Sequence, residues 1–128
     1  MSQAPRRTKI IATLGPATDR PGMLEAILRE GVDVARINFS HGGADDHRRR
    51  AHEVRAAAKK LGREVGLLVY NAALGTVASF LDLTAEHLQA MLDVNCCGPL
   101  LLSHALLPAM ADRGRGGLVL MSSLSGNV

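Results

Sequence analysis

Four short apolar runs, Lys9–Leu14, Val32–Phe39, Val65–Val69 and Leu118–Met121, are separated by stretches long enough for helices. This alternation constrains the fold more than any other feature, because a strand–helix–strand succession places its strands parallel through right-handed crossovers. Between the first two runs, Met23, Leu24, Ile27 and Leu28 recur at helical spacing. Asp19 is a candidate cap for that helix, with Pro21 near its first turn and Gly31 as its stop. A second helix is expected from Asp45 or Asp46 to about Leu61, ahead of Gly62. After the third run a loop over Asn71–Leu83 leads to a helix start at Thr84. Leu88, Met91, Leu92, Leu101, Leu102, Ala105, Leu106 and Met110 fit one long helix that Pro99 should kink, and the Gly114–Gly117 stretch closes it.

The spacing predicts βαβαβ followed by αβ, an α/β fold with a four-stranded parallel sheet and alternating helices. A strand order of 2-1-3-4 gives a doubly wound, Rossmann- or flavodoxin-like domain, which is the preferred reading. An order of 1-2-3-4 gives a TIM half-barrel with a bare apolar inner face. The length of 128 residues fits one domain. Aromatic residues are only 2% of the chain, so the core must come from Leu, Val, Ile, Ala and Met, as is common where helices cover a parallel sheet.

Charge is unevenly spread. Residues 1–69 hold thirteen Lys/Arg and eight Asp/Glu, whereas residues 70–128 hold two and four. No Gly/Ser/Pro linker marks the shift, which is unusual inside one continuous domain. The Arg48-Arg49-Arg50 run reads as a solvated helix face rather than a nucleic-acid surface, since acidic residues interleave it and no aromatics accompany it. Cys96 and Cys97 are adjacent, which disfavours a disulfide between them, and they are expected to be buried thiols. No CxxC or HExxH spacing occurs. No run of eighteen apolar residues suggests a membrane span, and a cytoplasmic setting is expected.

Residues 6–69 carry RRTKIIATLGPAT (Arg6–Thr18), VARINFSHG (Val34–Gly42) and EVGLLV (Glu64–Val69), and this stretch resembles the opening of pyruvate kinase. The resemblance implies the first three strands and two helices of a TIM barrel, and phosphoryl transfer between phosphoenolpyruvate and ADP with Mg²⁺ and K⁺. It places Arg36 at the phosphoryl group, Asn38 and Ser40 as K⁺ ligands, and His41 near the nucleotide. Oxygen ligands suit hard cations, and an Arg fork suits a phosphoryl group. The family's next K⁺ ligand, an Asp after strand three, is Tyr70 in this chain.

Residues 70–126 carry YNAALG (Tyr70–Gly75), the long string from Phe80 to Met110, and GLVLMSSLSG (Gly117–Gly126), and resemble the middle of a short-chain dehydrogenase/reductase. That resemblance implies a Rossmann sheet, NAD(P) and hydride transfer. It places Asn71, Ala72 and Ala73 along the cofactor cleft, Asn95 in the proton relay, and Ser123 on the substrate oxygen. The family's Tyr and Lys would fall beyond Val128. Its Gly-rich phosphate loop has no counterpart upstream, where Gly15-Pro16-Ala17-Thr18 stands instead.

The two resemblances together imply one α/β domain over 1–128, built from segments 1–69 and 70–128. They point to a recombined or engineered chimera, with a natural fusion or a mis-assembled reading frame as alternatives. No complete active site is expected, hence no catalysis and no resident cofactor. NAD(P), K⁺ or Mg²⁺ is expected only if a remnant site still binds, and residual nucleotide binding or a phosphotransferase fragment are the alternative functions. Self-association through an exposed sheet edge or face is expected.

Overall fold

A computed structural model describes residues 7–123. Arg6, Gly126 and the rest of the Leu124–Val128 end of the last matched string lie outside the described residues. The chain forms two compact units, Met1–Val65 and Gly66–Val128.

The first unit runs β1 (Ile11–Leu14), α1 (Met23–Arg29), β2 (Val34–Ile37), α2 (Ala44–Lys60). Strands β1 and β2 pair in parallel, with Ile11 opposite Val34 and Leu14 opposite Ile37. Side chains alternate across a strand. Leu14, Ala35 and Ile37 therefore join Leu24 and Leu28 of α1 and Ala57 of α2 in the core, while Ile11 and Val34 are exposed. Both helices end in the same way. Gly31 and Gly62 adopt positive φ just past the ends, and the amides of Val32 and Arg63 return to the carbonyls of Ile27 and Ala58. This Schellman closure satisfies carbonyls that a helix end otherwise strands.

Two local expectations are corrected here. Asp19 does not cap α1, which starts after Gly22, because its carboxylate is bonded to Arg49 and Arg50 instead. Helix α2 starts one residue before Asp45, and Asp46 accepts the Gly43 N–H at 3.2 Å.

The second unit runs β3 (Leu67–Tyr70), a 3₁₀ turn (Phe80–Asp82), α3 (Ala85–Leu92), a π-turn (Asp93–Cys97), α4 (Gly98–Asp112) and β4 (Gly117–Leu120). Strands β3 and β4 pair in parallel, Leu67 with Gly117 and Tyr70 with Leu120. The pairs β1–β2 and β3–β4 belong to both strand orders considered above. Thr84 caps α3 by accepting the His87 N–H, as its sequence position suggested. The ladder is interrupted ahead of Pro99, which has no N–H to give. The Gly98 N–H reaches back five residues to the Asp93 carbonyl, so the interruption takes the form of a π-turn. Pro99 itself is buried, and a second proline, Pro108, lies inside α4.

Cys96 and Cys97 sit in that π-turn and both are exposed, which corrects the expectation of buried thiols. The helix turns its small and apolar Gly98, Pro99 and Met110 inward and leaves Leu92, Leu100, Leu101 and Leu107 exposed. The helical run Ala85–Asp112 is long and apolar enough to cross a membrane by length and composition alone. Asp93, Asn95, Ser103 and His104 break it into shorter apolar pieces, which is why no continuous run stands out in the sequence.

Candidate functional site

In each unit the residues singled out from the sequence gather at the C-terminal ends of strands, where α/β proteins build their sites.

In the first unit Arg36 is the third residue of β2, on the exposed face. Its Nη1 donates to the Thr13 hydroxyl, its partner across the ladder, at 3.2 Å. Asn38 and Ser40 follow directly, but the Asn38 side-chain oxygen accepts the Ser40 backbone N–H at 3.3 Å. That carboxamide closes its own turn. His41 is exposed, and its carbonyl accepts a hydrogen bond from the ring Nε2 of His47, 2.9 Å away. His47 is buried, with its ring 4.4 Å from that of Phe39. Asp46 fills the N-terminus of α2 with a carboxylate, and Asp45 stands beside it, so this helix end already carries negative charge.

A charge cluster ties the β1–α1 loop to α2. Arg50 holds both Asp19 oxygens, through Nε at 2.9 Å and Nη2 at 2.8 Å, and Arg49 adds a bond at 3.1 Å. Arg49 also meets Asp46 and Glu53, and Arg48 meets Asp45. The basic run is thus matched by carboxylates. The hydrogen bonds from Arg50 and then Arg49 hold the Asp19 carboxyl well below the usual carboxylate range. A depressed pKa in the folded state adds stability that is present above the unfolded value of about 3.9 and is lost as pH falls below it. Urea unfolding followed by circular dichroism should therefore show a larger loss of midpoint between pH 7 and pH 3 in the wild type than in Asp19→Asn. Equal losses would contradict this role for Asp19.

In the second unit Tyr70 ends β3, and Asn71, Ala72 and Ala73 follow it, with Asn71 and Ala73 exposed and Ala72 half-buried. The Met121 N–H donates to the Tyr70 carbonyl at 2.9 Å, so Ser123 leaves the same end of the ladder as Asn71 and is also exposed. Asn95 lies in the π-turn. Its Oδ1 accepts the Leu74 N–H at 2.9 Å, and its Nδ2 donates to the Leu74 carbonyl at 2.7 Å. Both ends of its carboxamide are committed to pinning the loop after β3. The Tyr70 hydroxyl donates to the Val94 carbonyl, and burial pushes the phenol pKa up.

Three of these ties were not foreseen. His47 to His41, Asp19 to Arg50 and Tyr70 to Val94 each join residues that only the fold brings together. Tyr70 alone carried a signal, as the one tyrosine in the chain at a position where the kinase pattern has an Asp.

The fold and these strand ends define an α/β protein with four parallel strands alternating with helices. It is similar to a short-chain dehydrogenase from Streptomyces avermitilis, with a TM-score of 0.59 and 28% identity over 94% of this chain and 42% of that one. A 3-oxoacyl-[acyl-carrier protein] reductase with bound NAD from Brucella melitensis, at 21% identity and a TM-score of 0.56, shares the fold over 94% of this chain and 45% of its own.

In sequence, the barrel domain of pyruvate kinase matches residues 5–76, and the chain belongs to that family. Pyruvate kinase II of Salmonella typhimurium is 56% identical over 68 residues, which cover 53% of this chain and 14% of that protein. Pyruvate kinase of Haemophilus influenzae gives the same figures. The chain thus spans about a seventh of the length of these relatives. The family match runs through Tyr70 as far as Thr76, past the Val69/Tyr70 junction inferred from the sequence.

Proposed function

We propose that this chain is an α/β scaffold, assembled from a kinase-like and a dehydrogenase-like segment, that catalyses neither phosphoryl nor hydride transfer. The observation that carries this reading is Tyr70. The kinase resemblance calls for a cation-binding carboxylate there, and the chain instead has a phenol whose hydroxyl is bonded to the Val94 carbonyl. Of the remaining K⁺ ligands, the Asn38 oxygen already closes its own turn on the Ser40 amide, and with Tyr70 in place of the carboxylate the set falls short of the several oxygens a hard cation wants. NAD(P) fits no better. Asn95 spends its carboxamide on Leu74. At the end of β1, where a dinucleotide loop would offer bare backbone amides, the Thr18 hydroxyl accepts the Gly15 N–H at 2.9 Å.

A recombined or engineered origin is part of this proposal, supported by the two unrelated likenesses within 128 residues. Exposed Ile11 and Val34 on one strand pair, and Leu67, Val69 and Val119 on the other, support self-association as the remaining interaction.

The competing reading is residual nucleotide binding, favoured by the exposure of Arg36 and by Asn71 and Ser123 leaving one end of a ladder. Calorimetric titration of the full chain with ADP in K⁺ and Mg²⁺, and with NADH and NADPH, separates the two. No saturation below the millimolar range is expected, and sedimentation of the same samples should show concentration-dependent association. Saturable binding that is lost in Arg36→Glu or Asn71→Asp would replace the scaffold reading with the nucleotide one.

A further inference from the structure

We propose that Cys96 and Cys97 form a two-thiol site that captures trivalent arsenicals. Both thiols are exposed, and they are the only cysteines in the chain. They are neighbours in the π-turn Asp93–Cys97, closed by the Gly98 N–H on the Asp93 carbonyl. Adjacent side chains diverge by about 100° around an α-helix. A turn closed by i→i+5 bonds rotates less per residue, so the two thiols fan out less here than in an ordinary helix.

The same adjacency keeps them from each other. Consecutive Cα atoms are about 3.8 Å apart, shorter than the roughly 4.4–6.8 Å that a disulfide prefers, and a helical backbone cannot open that distance. The two thiols are therefore poorly placed to oxidise to a disulfide with each other, and both residues are exposed. Buried Pro99 and the packed Gly98 follow on the inner side, and exposed Leu92, Leu100 and Leu101, each four positions from one of the cysteines, add the apolar surface that helical neighbours at that spacing share.

The step is a condensation. An arsenoxide R–As=O meets two S–H groups, two As–S bonds form, and the As–O bond is lost. The oxygen leaves as water with both thiol protons. No oxidant or reductant is needed, and the product is a ring that links both sulfurs through arsenic.

The test uses the full chain, reduced and freed of reductant, with phenylarsine oxide as the probe and intact mass as the readout. One arsenical per chain is expected, surviving a wash with a monothiol and released by a dithiol. Cys96→Ser and Cys97→Ser should each weaken retention by about a hundredfold or more, since the second bond in the ring forms at the high effective concentration of an intramolecular partner. Iodoacetamide should alkylate both cysteines of the wild type, which checks that both thiols are reachable. Equal retention by the wild type and both serine variants, or loss of the arsenical to a monothiol from a chain whose cysteines both alkylate, would overturn the proposal. So would alkylation of fewer than two cysteines.

Discussion

Leu24→Ala is expected to destabilise the first unit by about 2–5 kcal/mol, the range for deleting a buried leucine side chain. The core there is thin. Leu14, Leu24, Leu28 and Ala57 are its buried members, and none of the described residues has a large side chain sealed completely from solvent. Leu24 lies in the first turn of α1, and alanine is at least as good a helix former, so the loss measures packing rather than propensity. Small domains hold only about 3–5 kcal/mol in a single core, so one such deletion should remove most of this unit's stability. The two units can be read apart. Tyr70 is the only tyrosine and there is no tryptophan, so tyrosine fluorescence reports the second unit while far-UV circular dichroism reports both. The variant should lose part of the dichroism transition at low urea while the fluorescence transition stays in place. A dichroism transition unchanged from the wild type would contradict the assigned core.

Gly98→Ala should destabilise the second unit by about 1–3 kcal/mol, the usual cost of forcing an extra methyl into a packed site. A Cβ at Gly98 would land on the Tyr70 hydroxyl, 3.1 Å from its Cζ and 3.3 Å from the Asp93 carbonyl oxygen. The sign is informative, because alanine in a helix is favoured over glycine by roughly 0.8–1.0 kcal/mol when nothing opposes it. A net loss means that the steric clash outweighs the propensity gain. The clash also displaces the Tyr70 hydroxyl from the Val94 carbonyl. Tyr70→Phe removes the oxygen that Cβ would strike, so the double variant should recover part of the loss relative to the sum of the single ones. Urea unfolding followed by dichroism reads all three proteins. A more stable Gly98→Ala would show that Tyr70 does not sit against this helix.

The alternation of elements was legible because it rests on local chemistry. Glycines past the helix ends, Thr84 at a cap and apolar residues at periods of two or near four each act within a few positions. The strand-end candidates were legible only as residue types in familiar strings. Their bonding was not, because it depends on separations that a linear reading cannot rank. Asp19 looks like a cap beside Pro21, yet Arg50, 31 positions away, offers it two bonds at once. Asn95 looks like a relay residue, yet its carboxamide meets the backbone of Leu74, 21 positions earlier. The cysteines were misplaced for a different reason. Their burial was inferred from an average habit of the residue, whereas both lie exposed in the π-turn ahead of Pro99.

The central claim is that Arg36, Asn38, Tyr70 and Asn95 spend their side chains on the protein itself, so that neither strand end is poised for a ligand. The most direct measurement is a residue-resolved NMR titration of the full chain with ADP in K⁺ and Mg²⁺, and separately with NADH. The account predicts that the amides of Arg36, Asn38, Ser40, His41, Asn71, Ala72, Ala73 and Ser123 and the side-chain amide of Asn95 keep their shifts at millimolar ligand. Saturable shifts confined to either strand end would contradict it and would mark a working nucleotide site.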